Sequence, residues 1–168
     1  WNFYHNSNDG NMELLLSTDG SGQIGRLESD RPLPKNRWVH VAVTKASNVY
    51  RMFFDGVQVN TATVSETIFG TGTTADSVGI GDYAHTNAEP YSGFISNIRI
   101  LKGTALYTAN FTPPTRTLTN VTNTKLLCCQ SNTSATAAAV TPGSITANGN
   151  AAATNFNPFT TDINTVRG

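Results

Sequence analysis

Apolar and polar residues alternate with a period of two over most of the stretch from Met12 to Gln130, and no window keeps a helical period beyond a turn or two. The pattern predicts an all-β chain. In Arg37-Trp38-Val39-His40-Val41-Ala42-Val43-Thr44 the valines share one face, and Trp38, His40, Ala42 and Thr44 share the other. A strand of that kind is expected at the middle of a sheet, covered on both sides. Residues 49–54 and 57–62 alternate on either side of Asp55-Gly56, a dipeptide suited to the positive φ angles of a type I′ hairpin. Earlier strands are predicted at 12–17 and 23–28, joined by the turn-forming run Asp19-Gly20-Ser21-Gly22.

Further along, residues 77–82 are expected to form a strand in which Gly79 and Gly81 leave one side bare for a close neighbour. Residues 94–101 are predicted as a second long core strand with Phe94, Ser96, Ile98 and Ile100 on one face. One short helical turn is expected at 104–107, before Pro113-Pro114 imposes an extended bend. Residues 126–130 close the compact part. From Ser131 onward the chain is Ala, Thr, Asn and Ser with few large apolar groups, too few for a core of its own. The expected organisation is one sandwich over residues 1–130, then closing strands and a linker toward a following module over 131–168.

Composition narrows the function. Eleven Lys plus Arg balance eleven Asp plus Glu, so no basic field draws the chain to nucleic acid or anionic lipid. Only 13% of residues are charged, against roughly 25% in an average soluble domain, and Thr, Asn, Ser and Gly do the solvating. That surface fits β-rich extracellular or virion proteins. No run of eighteen apolar residues occurs, so no membrane insertion is expected. Without a leader-like start at Trp1, the chain reads as a piece of a longer polypeptide. The two cysteines, Cys128 and Cys129, are adjacent, which excludes a disulfide framework; on a strand they are expected to point to opposite faces.

Four stretches carry a resemblance: Arg37 to Thr44, then Phe53-Phe54-Asp55-Gly56-Val57-Gln58-Val59, then Val78-Gly79-Ile80-Gly81, and Tyr91-Ser92-Gly93-Phe94-Ile95-Ser96-Asn97-Ile98-Arg99-Ile100. In order and spacing they resemble the laminin-G-like, concanavalin A-like lectin domain, which implies a two-sheet antiparallel β-sandwich of jelly-roll type. Residues 101–114, the run Thr124-Lys125-Leu126-Leu127-Cys128-Cys129-Gln130, and Asn155-Phe156-Asn157-Pro158-Phe159 look like the version found in structural and tail-fibre proteins of marine bacteriophages, especially those infecting cyanobacteria. The resemblance implies a module on the virion surface whose partners are a glycan or host-cell surface and other domains or chains of the same virion protein. Relatives usually begin with opening strands ahead of the segment that starts here at Trp1, and those strands are expected to precede it.

Glycoside hydrolases of similar fold need paired carboxylates on one strand face. No Glu-x-Asp-x-Glu run occurs, and the nearest pair, Glu28 and Asp30, sits beside a turn, so the chain is expected not to be an enzyme. His5, His40 and His85 lie on separate segments without transition-metal spacing. The candidate binding site is the loop leading from Asp82 to Tyr91. Tyr83 and Tyr91 offer aromatic faces for a sugar ring, and Asp82, His85 and Asn87 offer hydrogen bonds to its hydroxyls. Asp82, Asn87 and Glu89 supply the hard oxygens that calcium requires, and related domains often hold that ion at the sandwich rim. The alternatives are an architectural or decoration module that binds no sugar, and a polysaccharide hydrolase.

Overall fold

The computed structural model describes residues 1–19, 25–68, 78–82 and 90–159, and all regular secondary structure among them is β. The chain forms two compact units. The first, Trp1–Val78 with Ala105–Pro113, contains two antiparallel sheets of three strands each. One sheet is β1 (Asn2–His5), β2 (Met12–Leu16) and β3 (Gly25–Glu28); the other is β4 (Val41–Ala46), β5 (Val49–Phe54) and β6 (Val57–Thr63). Both follow chain order, as meanders do.

Alternation along these strands builds one shared core. Met12, Leu14, Leu16 and Leu27 from the first sheet meet Tyr50, Met52, Phe54 and Val59 from the second, joined by Val64. Val39, Val41 and Val43 pack against the same cluster. Full burial of such side chains stabilises by roughly 1.5–3 kcal/mol each. The first unit is thus an all-β sandwich in miniature, two sheets facing each other across apolar side chains.

The second sheet is covered on its outer side too. Phe53, with no exposed surface, points away from the core and meets Tyr107 and Phe111 edge-on, at ring-centroid distances of 6.5 and 5.3 Å. Tyr107 and Phe111 stack at 3.5 Å, and the His40 ring meets Phe111 edge-on at 5.5 Å. The segment that brings them is tied down by the Thr44 hydroxyl donating to the Tyr107 carbonyl (2.7 Å) and the Phe111 N–H donating to the Gly56 carbonyl (2.9 Å). Cover on both faces explains the apolar character of residues 38–44.

Asp55 and Gly56, at φ of 48° and 79°, form the tight β5–β6 turn that the dipeptide predicts. The Asp55 side chain also shortens β4. His40 N–H donates to Asp55 Oδ1 (2.9 Å) and the His40 carbonyl accepts from Asp55 N–H (2.8 Å), so β4 begins at Val41 rather than at residue 37.

The second unit, Gly79–Thr104 with Pro114–Gly168, holds the sheet of β7 (Ile98–Leu101), β8 (Thr124–Cys128) and β9 (Ala138–Val140), with β8 in the middle. The long strand expected over 94–101 is half that length. Asn97 has φ of 55°, which breaks the extended run, and Phe94 and Ile95 before it are 56% and 40% exposed. Its side chain explains the break: Oδ1 accepts from Leu118 N–H and from Gln130 Nε2, both at 2.9 Å. The described residues of the expected strand at 77–82 are not strand, and Gly81 turns there with φ of 80°. No helical turn forms at 104–107; that stretch instead runs across the β4–β6 sheet.

Cys128 and Cys129 depart from expectation as well. Cys129 has φ of 58°, leaving the strand, and its sulfur lies 3.7 Å from that of Cys128 rather than on the opposite face.

Candidate functional site

Of the loop residues singled out from the sequence, Tyr83, His85, Asn87 and Glu89 lie outside the described residues, while Asp82 and Tyr91 stand at the loop's two ends. Those ends are clasped. Tyr91 N–H donates to the Gly81 carbonyl at 2.7 Å. Tyr91 is 44% exposed, and its ring lies over Gly93, where a Cβ would come within 2.7 Å of the ring. A bare glycine therefore lets an aromatic ring rest on the backbone beside the loop while part of the residue stays open to solvent. Calcium ligation by Asp82, Asn87 and Glu89 falls on residues of which only Asp82 is described.

A second polar constellation, on the face of the β1–β3 sheet turned away from the core, escaped the sequence reading. Tyr4 pairs with Glu13 across β1 and β2, and Glu13 pairs with Glu28 across β2 and β3. Register thus places a phenol and two carboxylates side by side. Glu13 is 1% exposed although it occupies an outward position. It accepts from Tyr4 Oη (2.7 Å), Asn6 Nδ2 (2.6 Å) and Arg26 Nη2 (2.6 Å). The same guanidinium nitrogen is 2.8 Å from Glu28 Oε2, and Glu28 Oε1 accepts from Asn11 Nδ2 at 2.7 Å. Tyr4, Asn6, Glu13 and Arg26, with Leu15, line an open cleft of about 210 Å³.

The electrostatics follow from these contacts. Burial pushes the Glu13 carboxyl up, but three donated hydrogen bonds and the Arg26 charge outweigh it and hold its pKa below the ordinary glutamate value. Tyr4, desolvated and donating to an anion, has its pKa pushed up to about 12. A catalytic acid at neutral pH needs the opposite shift, a carboxyl held protonated. Here Glu13 is a fixed anion clamped by three donors. Oxygens of Asp9, Glu13 and Glu28 lie within 4.8 Å of one another, close enough to share a metal ion, but Arg26 already supplies positive charge to two of them.

The Glu28–Asp30 pair considered from sequence is not brought together as a working pair. Glu28 turns to Arg26 and Asn11, while Asp30 is exposed beside Arg31 at 3.3 Å. The pairing that does exist, Glu13 with Glu28, spans fifteen residues of chain and depends on the β2–β3 register. The legible signal was the set of polar residues Tyr4, Glu13, Arg26 and Glu28 at outward positions of short alternating strands.

Residues 1–109 match the family Laminin_G_3, described as the Concanavalin A-like lectin/glucanases superfamily. No curated protein and no solved structure matches the chain. The family match covers well over half the residues and agrees with three antiparallel sheets and a two-sheet core in the first unit. The chain belongs to the concanavalin A-like lectin/glucanase superfamily.

Proposed function

We propose that this chain is a non-catalytic glycan-binding module of a virion-surface or tail-fibre protein, engaging host-surface sugars through the loop between Asp82 and Tyr91. Membership of a lectin and glucanase superfamily fits carbohydrate binding in general. The observation that carries the reading is the exposed Tyr91 ring, seated on Gly93 at the clasped base of a loop rich in hydrogen-bonding side chains. Sugar rings stack on such faces through their C–H surfaces, while amides and carboxylates take the hydroxyls.

The state of Glu13 supports binding without hydrolysis, since a carboxylate locked by Tyr4, Asn6 and Arg26 has no proton to give to a leaving group. The bacteriophage setting rests on the likeness of residues 101–114 and 124–130 to tail-fibre modules.

A glycan array probed with the full chain, with and without calcium, tests the reading beside Tyr83→Ala and Tyr91→Ala. Selective binding by the parent, lost in both variants while their folding is retained, is the expected result. A folded chain that binds no glycan shifts the assignment to an architectural or decoration module. Turnover of a polysaccharide by the parent would establish the hydrolase instead.

A further inference from the structure

The sulfurs at the end of β8 form an arrangement with chemistry of its own. Cys128 is 2% exposed and sits in the middle strand of its sheet, opposite Ile98 on β7 and Ala138 on β9. Cys129 is half-buried and takes a left-handed conformation with φ of 58°. Its carbonyl is held by Asn97 N–H at 2.9 Å, with the Ser96 hydroxyl at 3.5 Å. In a regular strand adjacent side chains diverge to opposite faces. The left-handed turn at Cys129 cancels that divergence and brings the two Sγ atoms to 3.7 Å.

We propose that Cys128 and Cys129 are a vicinal dithiol, a modification site that hydrogen peroxide converts to a disulfide closing through their shared peptide bond. Cys129 is the attacking group, because it is the more accessible of the two. Its thiolate attacks one peroxide oxygen, the O–O bond breaks, and hydroxide leaves, giving a sulfenic acid on Cys129. The sulfur of Cys128 then attacks that sulfur. The S–O bond breaks, the Cys128 proton and the departing hydroxyl leave as water, and the first hydroxide takes up the proton released when Cys129 ionised. Two thiols and one peroxide thus become one disulfide and two waters, with the sulfurs oxidised and the peroxide oxygens reduced.

The contact between the sulfurs fits the same roles. Either sulfur can donate in this contact; with Cys128 as the donor, the bond lowers the Cys129 pKa although burial opposes it. The same donation, reinforced by burial, pushes the Cys128 thiol up. Cys129 is thus the more readily ionised of the two, and Cys128 the resolving partner. Forming the bond needs an approach from 3.7 Å to the roughly 2.05 Å of an S–S bond. Adjacent Cα atoms are about 3.8 Å apart, shorter than the roughly 4.4–6.8 Å of ordinary disulfides, so the ring is strained and readily reduced. The site is suited to reversible oxidation, and its closure would lock the backbone turn that Asn97 and Ser96 hold.

The test treats the full chain with hydrogen peroxide, blocks free thiols with iodoacetamide, and reads intact and peptide masses. The expected product has lost two hydrogens, carries no alkylation at either cysteine, and regains two alkylation sites after dithiothreitol. Dimedone, a trap for sulfenic acid, is expected to label Cys129 in Cys128→Ala but not in the parent. A second measurement avoids any variant: the reduced parent should hold phenylarsine oxide against excess monothiol and release it to a dithiol. Unchanged alkylation of both cysteines, disulfide-linked dimers, oxygen accumulating on one sulfur, or loss of the arsenical to monothiol would each overturn the proposal.

Discussion

Gly56 has no room for a methyl group. A Cβ built there would lie 1.8 Å from the Phe111 carbonyl oxygen, and the backbone sits at φ of 79°. Steric conflict and left-handed strain act together, so Gly56→Ala should cost about 3 kcal/mol in urea denaturation. Glu13 makes a different prediction. Its folded pKa lies below its unfolded value, so its contribution to stability is present above the unfolded pKa of about 4.3 and is lost as pH falls through the folded value. Glu13→Gln should therefore lower stability by about 2 kcal/mol at pH 7, where the charged acceptor is lost from three donors. The gap between parent and variant should narrow at pH 3, read from urea midpoints at the two pH values. A gap of constant size would mean that the carboxylate charge contributes nothing.

Strand ends carry the lesson at the scale of elements. Asn97 starts β7 by leaving the extended region, and its amide bonds Leu118, Gln130 and Ser96. Asn97→Gly keeps the turn and loses those bonds, whereas Asn97→Ala loses them and adds left-handed strain. Alanine should therefore be less stable than glycine by about 1 kcal/mol in the same denaturation assay. The alternation of residues 37–44, 49–54 and 57–62 was plain in the sequence because side chains of these strands face two different neighbours and Asp55-Gly56 fixes the hairpin, although the first strand begins only at Val41 and runs to Ala46. Residues 94–97 misled because Phe94 and Ser96 continue the face of Ile98 and Ile100, while the Asn97 turn is decided by partners some twenty and thirty residues away. The Glu13–Glu28 pairing was hidden for a related reason: register between strands is a property of two segments, and neither announces it alone. Tyr91 was legible as a residue, but its seat on Gly93 was not.

For the whole molecule, the balance of eleven positive and eleven negative side chains sets solution behaviour. With pI about 7.0, the chain should be least soluble near neutral pH, and solubility measured from pH 5 to 9 should show a minimum there. Binding to an uncharged glycan should change little between low and moderate salt, since no net field steers the encounter. A steep fall in affinity with salt would instead indicate a charged ligand held by a local cluster. The order of assembly is written into the same chain. Phe53 is sealed by Tyr107 and Phe111, which follow it by more than fifty positions and arrive only after β7 has been laid down. During synthesis from the N-terminus, a nascent chain that has emerged only through Leu101 exposes the outer side of the β4–β6 meander to water, open to chaperones and to unwanted association. The late clasp of Phe111 to Gly56 closes that window, so translation speed between the β5–β6 hairpin and Pro113 sets how long the half-made sandwich stays vulnerable.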